Sequence, residues 1–137
     1  MRHPLHPALV HFPVACWSLA SASDLASLHY GQPAWWLAGV LMTIGLACAI
    51  PAMLAGFFEL RRIANDSPAM IDANRHMGMV LAAFSLYACS LLLRVDAMSL
   101  HAPGAWAIAL GLAGFVCLGV AGWLGGKLVY VHRVGSD

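Results

Sequence analysis

The sequence predicts an all-α integral membrane protein, a bundle of four transmembrane helices with little soluble mass. Of 137 residues, 61% are apolar and 9% charged, with a mean hydropathy of +0.78, outside the usual range of soluble domains. Charge disappears in four runs, at about 8–28, 34–58, 76–95 and 104–131, each long enough for a hydrocarbon core of about 30 Å. These runs lack the alternation of a barrel strand and exceed the roughly 10 residues such a strand needs.

The first run follows a segment rich in proline and histidine, His3-Pro4-Leu5-His6-Pro7. Arg2 and Ala20-Ser21-Ala22 imitate a secretory signal, but three prolines and three histidines before Val14 make a poor n- and h-region, so the segment is read as a retained helix. The second run begins after a short turn, His29 to Pro33, and contains Pro51, which removes a backbone donor and is expected to kink the helix. A polar loop from Glu59 to Arg75 leads to the third run, opened by His76 and closed by Arg94. A second short turn, Asp96 to Pro103, precedes the fourth. The whole chain, 1–137, therefore reads as one transmembrane domain.

Lipid provides no hydrophobic drive between helices, so small residues that allow close backbone approach mark packing faces. Gly45, Ala49, Ala52 and Gly56 supply one in the second helix; Gly111, Gly114, Gly119, Gly122, Gly125 and Gly126 supply others in the fourth. Trp17, Trp35, Trp36, Trp106 and Trp123 are expected mostly as interfacial anchors. Arg2, Arg61, Arg62, Arg75, Lys127 and Arg133 fall on one face and only Arg94 on the other, which predicts cytoplasmic termini, with a bacterial inner membrane as the setting.

Seven histidines against seven Lys plus Arg is the most informative excess, because polar groups at membrane depth need partners. His3, His6, His11, His76 and His132 all fall toward the predicted cytoplasmic face, with Glu59 and Lys127, and form one expected polar layer. His29 and His101 occupy the opposite turns and read as solvated. Neutral imidazole ligates iron, copper or zinc, and the core of a four-helix bundle accommodates metal or haem. His11 and His76, the most embedded in apolar surroundings, are the expected axial ligands of a haem b iron, with His6 and His132 as reserve ligands or supporting groups. Asp24 and Arg94 are expected to pair toward the other face. One cysteine per helix (Cys16, Cys48, Cys89, Cys117) without C-x-x-C spacing reads as packing rather than a thiolate site. No phosphate loop, nucleophile elbow or carboxylate dyad is present, and no basic stripe for nucleic acid.

The opening His3-Pro4-Leu5-His6-Pro7, His11-Phe12-Pro13, the late Asp24 and the ending Leu124-Gly125-Gly126-Lys127-Leu128-Val129-Tyr130-Val131-His132 resemble the bacterial membrane family called domain of unknown function 2231. The likeness runs end to end and includes a histidine opening the third helix and an arginine ending it. It departs after His132, where relatives read Gly-Val-Gly-Val and this chain has Arg133-Val134-Gly135-Ser136. The resemblance implies association with Rieske-type iron–sulfur or cytochrome c domains, hence electron transfer. The expected function is a cytochrome b-like electron-transfer subunit that makes and breaks no substrate bond itself, associating with itself or with a redox partner. The alternative is a non-redox membrane protein: a scaffold subunit of a larger complex, or a transition-metal or proton carrier using the same histidines.

Overall fold

A computed structural model describes residues 5–135. A single turn, α1 (Leu5–Leu9), leads into four long helices: α2 (His11–Tyr30), α3 (Gln32–Leu60), α4 (Pro68–Leu92) and α5 (Ala105–Tyr130). A two-residue ribbon, β1 (Val95–Asp96) paired antiparallel with β2 (Ser99–Leu100), joins α4 to α5.

Each helix boundary has a local cause. Gly31, at φ +67°, takes the left-handed turn that reverses α2 into α3. Ser67 caps α4 by accepting from the Met70 amide at 3.2 Å, and Pro68 occupies the first helical position, where its missing N–H is harmless. Ala97 and Met98 adopt positive φ in the two-residue turn of the ribbon. One expectation changes here: helix α4 starts at Pro68, so His76 lies more than two turns inside it rather than opening it. Helix α3 includes Pro51 within its length.

The helices form two hairpins, α2 packed chiefly on α3 and α4 chiefly on α5. Their shared core is Trp17, Ala20, Met42, Ala49, Ala83 and Tyr87. Large apolar side chains such as Phe12, Leu19, Phe58, Val116 and Trp123 point outward. An interior of small residues under an apolar exterior is the arrangement of a protein solvated by lipid. Trp17 is buried in the core and not at an interface, while Trp106 and Tyr30 near one end, and Trp123 and Tyr130 near the other, are exposed as belts.

Three helices, α3, α4 and α5, are long and apolar enough to cross a membrane. Helix α2 has 20 residues, enough for about 30 Å, but Ser18, Ser21, Ser23, Asp24 and Ser27 set it apart as more polar. Its buried face consists of Pro13, Trp17, Ala20, Ser21 and Asp24, so its most polar group is turned inward.

Candidate functional site

At the end of the bundle where α3 finishes and α4 begins, α1 lays His6 against α3, and α4 presents His76 to α5. The His6 Nδ1 lies 2.8 Å from the Ala52 carbonyl, and the His76 Nδ1 lies 2.8 Å from the Ala121 carbonyl. A carbonyl only accepts, so each Nδ1 carries a proton and donates it; in the neutral ring the Nε2 lone pair is then free. The two rings face each other edge to plane, with centroids 6.2 Å apart and planes at 88°. Each rests on a glycine: a Cβ at Gly56 would stand 2.9 Å from the His6 ring, and one at Gly125 would stand 3.2 Å from the His76 ring. The Glu59 carboxylate accepts from the His6 backbone amide at 3.3 Å, anchoring α1 to the end of α3.

His11 is not brought to this pair. Its ring is exposed, with Nδ1 3.4 Å from the Ala8 carbonyl. Five helical residues rotate the chain by about 500°, so His6 and His11 stand roughly 140° apart and only one can face the interior. His6 takes the place expected for His11. His132 is engaged elsewhere: its Nε2 lies 2.8 Å from Asp72 Oδ2, which also accepts from Lys127 Nζ at 2.8 Å, while Arg75 approaches the other oxygen at 3.8 Å. Asp72 precedes His76 by four residues, so the two clusters sit one turn apart on the same face of α4. The expected polar layer is therefore split, with His6, His76 and Glu59 in one part and Asp72, Lys127 and His132 in the other. His3 lies outside the described residues.

Toward the other end the interior carries two further polar levels. Tyr87 stacks on Trp17 with centroids 4.9 Å apart; its hydroxyl lies 2.8 Å from Ser21 Oγ and donates to the Trp17 carbonyl at 3.1 Å. Beyond it Arg94 grips Asp24 through two bonds of 2.7 and 3.0 Å, with side chains 0% and 1% exposed. Ser90 completes the guanidinium's shell, accepting at its carbonyl from Nε at 3.2 Å and at its hydroxyl from Nη2 at 2.9 Å. Asp72, Tyr87 and Ser90 were not singled out by sequence reasoning. The signal for Asp72 was its i, i+4 spacing from His76, and for Ser90 its i, i+4 spacing from Arg94.

Among the described residues no group of three or more His, Cys, Asp or Glu could hold a metal ion; Cys89, for one, is exposed. The half-buried pair supplies two imidazoles, which is what haem iron asks of a protein in bis-axial ligation. Two surface recesses of about 440 and 450 Å³ are lined by neither ring, one by Trp123, Lys127 and Tyr130 and one by Glu59, Arg62, Ser67, His132 and Arg133. The pair thus offers donors rather than a preformed slot.

A family model described as "Predicted membrane protein (DUF2231)" matches residues 2–137. Neither a curated protein nor a solved structure matches.

Proposed function

The chain belongs to the DUF2231 family of predicted membrane proteins, and on that premise we propose that it is a cytochrome b-like electron-transfer subunit whose haem b iron is taken by His6 and His76. The reading is carried by one observation: two half-buried imidazoles from different helices each donate Nδ1–H to a backbone carbonyl at 2.8 Å. That bond fixes the tautomer and turns Nε2 into a ligand, the arrangement common to metal-bound histidine. Gly56 and Gly125, lacking side chains, let the two rings lie directly against α3 and α5. A haem there supplies a one-electron couple. The protein's part is to orient the two rings through Ala52 and Ala121 and to set the local polarity, and Asp72 with Lys127 places a neutralised ion pair one turn from His76.

Both termini are assigned to the cytoplasmic side of a bacterial inner membrane, because Arg61, Arg62, Arg75, Lys127 and Arg133 gather at one end while Arg94 is consumed in an internal pair. In this reading α2 also spans, its Asp24 neutralised by Arg94. A redox partner of Rieske or cytochrome c type, and self-association, belong to the same proposal. The alternative of a metal or proton carrier draws on the proximity of His76 and Asp72 on α4.

A reduced-minus-oxidised visible spectrum of detergent-purified protein tests the proposal. The expected result is a b-type difference band that disappears in His6→Ala and in His76→Ala and persists in His11→Ala. A colourless protein that takes up no added haem refutes it.

A further inference from the structure

The three meetings across the centre of the bundle share one interval. His6 faces His76, Trp17 stacks on Tyr87 and Asp24 pairs with Arg94, and each partner lies 70 positions after the first. Burial repeats at the same interval, in Pro13 and Ala83 and in Ala20 and Ser90. The second helix of each hairpin follows at 69: Ala38 and Ala107, Gly45 and Gly114, and Ala52 and Ala121 are identical in type and buried in both.

Contacts recur as well as positions. Gly45 lies against the Trp17 ring, and Gly114 lies against the Tyr87 ring. The Ala52 carbonyl receives His6, and the Ala121 carbonyl receives His76; the glycine four residues on, Gly56 or Gly125, then backs the same ring. Two hairpins of independent origin have no reason to agree in spacing, burial and contact at once.

When two copies of a unit are related by a twofold axis, residues on that axis meet their own counterparts. All three levels follow this rule and in the same order, so the copies run parallel and the axis runs along the bundle, as in membrane proteins built from parallel repeats. We infer that the chain is one helical hairpin duplicated, residues 6–60 and 76–129, folded about a quasi-twofold axis, and that His6 and His76 form an axis site taking one ligand with two equivalent faces.

The two lower levels have diverged into complementary pairs, Trp with Tyr and Asp with Arg. The histidine level has kept the same residue in both copies. A site that needs the same donor from both sides fits a metal centre with two opposed open positions, either haem iron or a linear two-coordinate cuprous ion. This ligand class rests on the proposed function; the repeat does not.

Exchange of counterparts in the full-length chain tests the duplication. One variant carries Trp17→Tyr, Ala20→Ser, Ser21→Leu and Asp24→Arg together with Tyr87→Trp, Ser90→Ala, Leu91→Ser and Arg94→Asp; two controls carry one half of the set each. The full exchange is expected to retain the monodisperse yield and melting midpoint of the unsubstituted chain, while each half-exchange loses most of its yield. A full exchange no better than the halves overturns the duplication. Titration of the unsubstituted chain with haemin, and separately with cuprous ion, is expected to saturate at one equivalent of one of them, with equal loss in His6→Ala and His76→Ala. Unequal loss overturns the equivalence of the two faces. Binding of cuprous ion alone keeps the two-faced metal site but overturns the proposed function, binding of neither probe overturns both, and the exchange result stands on its own.

Discussion

Replacing Asp24 with alanine removes the counter-charge of an arginine that is 1% exposed and surrounded by the bundle. In the intact protein the Arg94 guanidinium makes four hydrogen bonds, two to Asp24 and two to Ser90. The substitution removes both carboxylate bonds and leaves a cation with one serine for company. Stripping one partner from a buried ion pair costs about 3–5 kcal/mol, because the survivor keeps its desolvation penalty without the attraction that offset it. Neither side chain is solvent-screened, so no discount applies. A double variant, Asp24→Leu with Arg94→Met, removes both charges and fills similar volume, and apolar replacement of a buried pair is often neutral or favourable by about 1–4 kcal/mol. Reversible unfolding in mixed micelles under a denaturing detergent measures both. Asp24→Ala should fall by about 3–5 kcal/mol and the double variant should recover most of that. A single-variant cost below about 1 kcal/mol, or a double variant as unstable as the single, would refute the account of a desolvated and interdependent pair.

Other substitutions read the remaining levels. Gly45→Ala places a Cβ 2.5 Å from the Trp17 indole and should cost about 1–3 kcal/mol by overpacking, whereas Gly122→Ala meets open space and should leave the unfolding midpoint unchanged or raised. Tyr87→Phe keeps the stack on Trp17 but leaves the Trp17 carbonyl and Ser21 without the phenol, a loss of about 1–2 kcal/mol in the same unfolding measurement. Asp72→Asn weakens the links to Lys127 and His132, so amide exchange over 128–135 should accelerate while the centre of α4 stays protected.

The helices were legible because lipid imposes a one-dimensional rule, a stretch without charge of sufficient length, and the α3 and α5 runs satisfy it unaided. Asp24 and Arg94 were legible as partners because few other charges lie at that end. What depth alone does not encode is azimuth. His6 and His11 are close in depth, yet α1 and α2 present them to different sides, and a count of residues from the membrane edge does not separate them. The start of α4 was obscured for a related reason: Asp72 and Arg75 resemble loop residues by hydropathy, while Ser67-Pro68 marks a capped helix by backbone chemistry. Trp17 was not separable from the anchoring tryptophans by sequence, because tryptophan belongs to both interfaces and cores and Gly45, 28 positions away, decides which.

The Asp24–Arg94 pair also bears on how the protein is made. Helix α2 emerges first from the ribosome carrying an acidic side chain that the hydrocarbon penalises, and the residue that neutralises it is translated 70 positions later. At about 5–20 residues per second, that interval lasts roughly 4–14 s. In the proposed reading, where α2 spans, this helix has no lasting place of its own in the bilayer during that time: it waits beside the insertion machinery or at the membrane surface until α4 follows. On that reading biogenesis is a delayed closure, in which the third long helix completes the integration of α2.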